Sequence, residues 1–170
     1  FGKGKKGFLT FPTKFDMVEP LLSLNHRGRV VVRMSVNPDD IIRKIEFGTS
    51  PLSARIDALN KMSDAGYTMG LLIAPIVLVD NWQELYGRLI QQLAEQISEK
   101  AKEQLFIEII FMTYSYVHYA INREAFPNAV DLFDKTLMTG RGQGKYCYRK
   151  DVRAAGELFL RERLSEELGN

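Results

Sequence analysis

One cysteine, Cys147, stands among 170 residues. A disulfide needs a pair, and an all-thiolate zinc or iron–sulfur site needs several, so neither can be assembled from this chain alone. Histidine is nearly as scarce: His26 and His118 are the only two, with no metal-ligand spacing between them. The longest apolar stretch, residues 69–79, is interrupted by Gly70 and Pro75 and is far too short to span a bilayer. No secretory signal is present, so the expectation is a cytoplasmic protein with no membrane partner. There is no Rossmann glycine fingerprint and no Walker loop. The run Gly140-Arg141-Gly142-Gln143-Gly144-Lys145 is glycine-rich, but its spacing differs and it does not open a helix after a buried strand. The first residue is Phe1, so a fragment or a processed product is expected.

What is present is ordinary globular composition. Apolar residues make up 45% and charged residues 26%, too apolar for a disordered tail. The net charge of +2 hides an asymmetry. Residues 1–33 hold seven cations (Lys3, Lys5, Lys6, Lys14, Arg27, Arg29 and Arg33) against Asp16 and Glu19, a net of +5. Residues 139–153 hold Arg141, Lys145, Arg149, Lys150 and Arg153 against Asp151, a net of +4, which leaves −7 for the rest. Two basic segments on an acidic body point to an anionic partner; the plainer alternative is solvated loop lysines and arginines.

Residues 7–14 read as a strand, 16–24 as a short helix and 29–36 as a β-branched strand followed by Pro38. Residues 39–45 suit a helical turn or two. Ser50 is expected to cap a helix with Pro51 at its first position, and Leu52, Ile56, Leu59 and Met62 form its apolar stripe. Gly66 ends it. Residues 68–79 read as a strand buried on both faces. Asn81 is expected to cap one long helix over 82–101, with Leu85, Leu89, Ile90, Leu93 and Ile97 inward. Residues 105–113 read as another buried strand, 116–125 as a helix, 140–145 as a basic loop before the aromatic segment 146–148, and 152–168 as a final amphipathic helix. Strand–helix alternation with buried strands implies an α/β fold with about four parallel strands and outer helices. The chain is divided into residues 1–138 and a piece, 139–170, of basic loop, short strand and terminal helix.

In such folds ligands bind at the carboxyl ends of the strands. The polar or special residues there are Thr13 and Lys14, then Ser35 and Asn37, then Ala74-Pro75, where proline frees backbone groups from the ladder, and Thr113 to Ser115. An ammonium, two small polar groups and unpaired backbone suit a small zwitterion or a nucleoside. The bland alternatives are that Lys14 snorkels and that Ser35 and Asn37 make turns. No catalytic set emerges and no metal site is expected. Asp39-Asp40 suits a helix N-terminus, His118 a structural role, and Cys147 a half-buried strand position.

A resemblance gives these positions meaning. Gly7-Phe8-Leu9-Thr10-Phe11-Pro12-Thr13-Lys14-Phe15, Val18-Glu19-Pro20-Leu21-Leu22 and Arg33-Met34-Ser35-Val36-Asn37 carry it first. Phe47-Gly48-Thr49-Ser50-Pro51-Leu52 with Arg55-Ile56 and Ala65-Gly66-Tyr67, Ala74-Pro75-Ile76, Asn81-Trp82 and Gly144-Lys145-Tyr146 follow. In order and spacing these resemble the C-terminal half of the spore photoproduct lyases, radical SAM enzymes of DNA repair, most closely over residues 7–100. The resemblance implies the C-terminal half of a partial (β/α)6 TIM-type barrel. It implies a 4Fe–4S cluster bound by a Cys-x-x-x-Cys-x-x-Cys motif in the preceding N-terminal half. It implies that Lys14 contacts the carboxylate of S-adenosylmethionine, and that Ser35, Asn37 and the backbone at Ala74 help hold the cofactor. The reaction implied is hydrogen abstraction from a crosslinked thymine dimer by a 5′-deoxyadenosyl radical, after which the dimer splits. DNA is the implied partner, with Arg141, Lys145, Tyr146 and Arg149 as contacts and Arg141 in the place of the lesion-contacting arginine.

Two departures stand out. Members usually carry a His-Arg-Phe-type run where this chain has Phe111-Met112-Thr113-Tyr114-Ser115, and the basic loop is shorter than the family's DNA-contacting hairpin. Two alternatives therefore stay beside the lyase: a non-catalytic nucleic-acid-binding or scaffolding relative, and a radical SAM enzyme with another substrate. The residues preceding Phe1 discriminate, because only the enzymes require three cysteines in the radical SAM spacing.

Overall fold

The computed structural model describes residues 6–169; Lys3 and Lys5 of the first basic segment lie outside them. Four parallel strands lie in chain order: β1 (Leu9–Thr13), β2 (Val30–Val36), β3 (Thr68–Ile76) and β4 (Phe106–Phe111). The sheet is open, with β1 and β4 at its edges. Helix α1 (Glu19–Leu22) and then α2 (Asp39–Ile45) and α3 (Leu52–Asp64) follow β1 and β2. Helices α4 (Trp82–Gln96) and α5 (Glu99–Lys102) connect β3 to β4. Beyond β4 come β5 (Thr113–Ser115), α6 (Tyr116–Ala125), β6 (Met138–Gly142), β7 (Lys145–Tyr148) and α7 (Lys150–Leu168), and the three strands form a second, antiparallel sheet in the order β5-β7-β6. Among the described residues no helix is long and apolar enough to cross a membrane.

Alternation along each strand separates two faces. On one, Val32, Met34 and Val36 of β2 pair in register with Met69, Leu71 and Ile73 of β3, and all six are fully buried. Leu52, Ile56, Leu59 and Met62 of α3 and Leu89, Ile90 and Leu93 of α4 complete this core. Each such side chain contributes about 1.5–3 kcal/mol on burial. The opposite face is polar or small: Arg33 pairs with Gly70 and Ser35 with Leu72, while Leu72 pairs with Glu108. Arg33 reaches across β3 to Glu108 at 3.2 Å. Gly70, paired with Arg33 on one side and Phe106 on the other, leaves room for the Phe106 ring, which a Cβ there would meet at 2.4 Å.

Several boundaries differ from the expectations, each for a local reason. The helix expected over 16–24 is the single turn of α1. Ser50 does not cap α3, because its hydroxyl donates to Asp16 Oδ1 at 2.6 Å and Pro51 takes the N-cap position instead. Asn81 likewise makes no side-chain cap to α4. The helix expected over 82–101 breaks at Ile97 into α4 and α5, and Asn60 of α3 bridges the break. It donates to Gln96 O at 2.8 Å and accepts from Ser98 N at 3.0 Å. The stretch expected as one buried strand over 105–113 divides at Met112. Its first part, β4, is an edge strand, so Phe106 and Ile110 are 40% and 46% exposed. The basic loop is a β-hairpin, with Gln143 and Gly144 at positive φ in its two-residue turn.

The second sheet is fastened to the end of β3. Beyond Ile76 two consecutive amides leave the ladder, and each is taken by a buried phenol. Val77 N donates to Tyr86 OH at 2.8 Å and Leu78 N to Tyr148 OH at 2.9 Å. Tyr148→Phe would leave the Leu78 amide unpaired. It should lower stability by about 1–3 kcal/mol in urea unfolding and speed hydrogen exchange at that amide.

Candidate functional site

At the carboxyl ends of β1, β2 and β3 the backbone is arranged to receive a cation. The β3–β4 register shifts between Ile73 and Ile76, and the Ala74 and Pro75 carbonyls turn out of the ladder. Lys14, the residue after β1, fills the space. Its Nζ donates to Ala74 O at 2.8 Å, to Ser35 Oγ at 2.9 Å and to Glu46 Oε1 at 2.6 Å. Ser35 Oγ in turn donates to Ala74 O at 3.0 Å. Asn37 Nδ2 donates to Glu46 Oε1 at 2.8 Å and to Pro75 O at 3.0 Å. Its own oxygen accepts from Tyr86 OH at 3.1 Å. The structure thus brings together Lys14, Ser35, Asn37 and Ala74, four of the positions singled out at the strand ends, while Thr113 to Ser115 go into the second sheet as β5.

It also adds two residues that the sequence reasoning missed. Glu46, just after α2, is the carboxylate on which Lys14 and Asn37 converge. Arg55 of α3 has no solvent exposure and spreads its guanidinium over the same network. Nε donates to Ser50 O at 2.7 Å, Nη1 to Ser35 O at 3.0 Å and Nη2 to Thr49 Oγ1 at 2.7 Å. Nη1 also lies 2.8 Å from Glu46 Oε2, an ion pair without hydrogen-bond alignment. A signal for Arg55 exists in the sequence: it stands beside Ile56 on the face carrying Leu52 and Leu59, where a charge has no place unless it is paired. Glu46 carries no comparable signal.

Burial pushes the Glu46 carboxyl up, but the hydrogen bonds from Lys14 and Asn37, with the Lys14 and Arg55 partners, outweigh it and hold the group below its ordinary value. For Lys14 burial wins: it lowers the ammonium against the hydrogen bond and charge of Glu46, and Arg55 adds to the lowering.

Two clefts meet at this network. One, of about 480 Å³, opens on the polar face of the sheet and is lined by Lys14, Ser35, Ala74 and Pro75 with the apolar Pro12 and Leu72. The other, of about 400 Å³, lies between Lys14, Glu46 and Pro75 on one side and Asn122 of α6 and Phe126, just after that helix, on the other. Phe47, next to Glu46, stacks on Phe126 at 5.4 Å and ties α6 to the rim.

The basic residues are distributed unequally. Arg141 and Lys145 are exposed on the hairpin and make no ion pair among the described residues. Arg149 is exposed too, but it is held by Asp151 at 2.7 Å. Tyr146 is half-buried and packs against Tyr114, Tyr116 and Phe133. In the first segment Lys14 and Arg33 are used internally. Arg27 and Arg29 precede β2, at the end of the sheet away from the clefts. Cys147 lies half-buried in β7, His118 is exposed on α6, and His26 stacks on Tyr67 at 3.8 Å. Among the described residues no group of three or more His, Cys, Asp or Glu is placed to hold a metal ion.

Comparison with known proteins gives one consistent result. The family model described as spore photoproduct lyase matches residues 1–170. The spore photoproduct lyase of Bacillus subtilis (strain 168) is 34% identical over 168 residues, which cover 96% of this chain and 48% of that protein. That of Geobacillus sp. (strain Y412MC61) is 35% identical over 158 residues, 90% of this chain and 46% of that protein. Among solved structures, a spore photoproduct lyase mutant with bound AdoMet and dinucleoside spore photoproduct superposes with a TM-score of 0.89 at 29% identity, over 98% of this chain and 50% of that one. The chain therefore spans about half the length of the relatives it matches.

The pairing at Glu46 has a defined pH signature. Its carboxyl is held below the ordinary 4.5 in the folded chain, so its stabilisation is fully present above that pH and is lost as pH falls through the folded value. Glu46→Gln, which leaves the buried Arg55 and the half-buried Lys14 without their anion, should cost about 3–5 kcal/mol at pH 7. In urea unfolding, the difference from the wild type should shrink progressively below pH 4.5.

Proposed function

The chain belongs to the spore photoproduct lyase family, and we propose that it is the C-terminal half of a radical SAM lyase that splits the thymine-dimer spore photoproduct in DNA. The observation that carries this reading is the convergence of Lys14, Ser35 and Ala74 on one cleft at the carboxyl ends of the strands, with Asn37, fully buried behind its wall, bonded to Glu46 and the Pro75 carbonyl.

The residues present fit S-adenosylmethionine. The cleft offers a cation for a carboxylate, hydroxyl and carbonyl groups for polar atoms, and the apolar Pro12 and Leu72 for a nucleoside. When bound, the cofactor supplies the hydrogen-abstracting chemistry. The protein's part is positioning. Lys14 presents its ammonium to the ligand carboxylate, and since all three of its protons are engaged it redirects one on binding. The bond to Ser35 is the least costly to release, because that hydroxyl already donates to Ala74 O. Asn37 and Ser35 keep the strand ends in place while the exchange occurs.

The iron–sulfur cluster is a different matter. With Cys147 as the single cysteine, this chain does not fit its ligand set, and we assign the cluster to the N-terminal half. The place of that half is supported by β1, an edge strand whose apolar side, Leu9 and Phe11, borders a cleft of about 300 Å³ with Leu21, Leu24 and Tyr67. A preceding strand–helix unit laid there continues the sheet into the partial (β/α)6 barrel. Residues 1–138 then form the barrel half, and residues 139–170 the DNA-contacting hairpin with its terminal helix. The hairpin offers Arg141 and Lys145 as phosphate contacts, Arg149 as a contact shared with Asp151, and Tyr146 as an aromatic backing. With DNA as its substrate, the protein works in the cytoplasm.

Lys14→Ala in the full-length protein should weaken S-adenosylmethionine binding by about 1.5–3 kcal/mol in calorimetry, as for the loss of a charge-assisted hydrogen bond. Unchanged affinity would remove the cofactor from this cleft. Separately, Arg141→Ala with Lys145→Ala should make the salt dependence of duplex binding shallower, by roughly 0.9 in log–log slope for each phosphate left without its cation. An unchanged slope would take the hairpin off the DNA.

A further inference from the structure

We propose that Glu46 is the positioning residue of this cleft: it pins the Lys14 ammonium against Ser35 and Ala74, so that a ligand carboxylate meets a cation already held in place. This rests on reading the cleft as the S-adenosylmethionine site.

The charges make the case. Lys14, Glu46 and Arg55 meet with side-chain exposures of 30%, 4% and 0%. Two cations against one carboxylate leave a single unbalanced positive charge at the wall of the cleft. One ligand carboxylate brings the cluster to neutrality; an uncharged analogue leaves it unbalanced. The charged groups facing Lys14 are Glu46, after α2, and Arg55 of α3; β2 and β3 contribute only the Ser35 hydroxyl and the Ala74 carbonyl.

Glu46 is itself held. Its Oε1 also accepts from Asn37, which Tyr86 holds from α4, and its Oε2 faces Arg55. A long, flexible lysine stem is thereby fixed by a short chain of buried bonds. Without the carboxylate, burial and the Arg55 charge act on Lys14 unopposed, and both disfavour its charged form.

The test is S-adenosylmethionine affinity of the anaerobically reconstituted full-length protein, measured by calorimetry between pH 6.5 and 9.5 for the wild type, Glu46→Gln, Glu46→Asp and Lys14→Ala. The ratio of variant to wild-type dissociation constants cancels the ligand's own titration. For Glu46→Gln the ratio should climb between pH 7 and pH 9, because without the carboxylate Lys14 gives up its proton at lower pH than it does in the wild type. Glu46→Asp keeps the charge but not the reach, so its ratio should stay above one and flat. A ratio of one for either variant overturns the proposal. So does a pH-independent ratio for Glu46→Gln, the result of a purely structural role. If Glu46→Gln does not fold, Glu46→Asp decides alone: weaker binding of S-adenosylmethionine with unchanged binding of its decarboxylated analogue supports the proposal, and wild-type affinity, or an equal loss for both ligands, overturns it. Lys14→Ala separates the two readings. If it binds normally, the assignment of the cleft falls; if it binds weakly while Glu46→Gln gives a flat ratio, only the role of Glu46 falls.

Discussion

A buried carboxylate and a buried guanidinium meet a half-buried ammonium at the carboxyl end of the sheet, and much of the surrounding structure serves to satisfy them. A charge removed from water without partners is among the most costly features a fold can carry. Here every element nearby supplies a partner. The irregular end of β3 turns out two carbonyls, β2 contributes Ser35, the residue just after β2 is Asn37, the loop before α3 contributes Thr49 and the Ser50 carbonyl, and α4 contributes Tyr86. The cluster thus holds together segments far apart in sequence, from Lys14 to Tyr86, and the cleft inherits its shape from that bracing.

The division of the sheet into two faces follows from the same constraint. Valine, methionine, leucine and isoleucine alternate onto the helix-covered side, while Arg33, Ser35, Gly70, Leu72 and Glu108 occupy the other. The polar side is where a ligand can sit, because it has width left over. Gly70 provides room for the Phe106 ring, and the partly exposed Arg33–Glu108 pair crosses β3 diagonally, from the level of Gly70 to the level of Ser35 and Leu72. A surface ion pair of that kind contributes little stability; its effect is to keep that layer polar.

The second sheet extends the same end of the molecule. Tyr148 fastens it to Leu78, Met112 N donates to Ile76 O, and the rings of Tyr114, Tyr116, Phe133 and Tyr146 pack behind the hairpin. The two unpaired hairpin cations, Arg141 and Lys145, are therefore carried on a backed, two-residue-turn ribbon fastened to the end of the sheet that bears the clefts.

Much of this was legible along the chain. Periodicity identifies the four parallel strands, the stripe of α3 and the extent of α6, because a 2-residue or 3.6-residue repeat is a local property. The rule that ligands gather at strand ends picks out Lys14, Ser35, Asn37 and Ala74 for the same reason: each is defined by its place within the last residues of a strand or just beyond it. Other features depended on contacts that no window of sequence contains. Ser50 looks like a cap, yet its hydroxyl is claimed by Asp16, 34 residues away. A helix that reads as continuous through residue 101 is broken at Ile97, where Asn60 bridges the gap 38 residues from its partner Ser98. The hairpin reads as a loop until β5 is there to pair with it. Glu46 resembles any other surface glutamate in sequence; only folding, by closing Lys14, Asn37 and Arg55 around it, makes it the buried anion of the site. Local pattern determined which residues face which way, and the tertiary structure decided which charges meet, because burial and pairing energies exist only once distant segments are in contact.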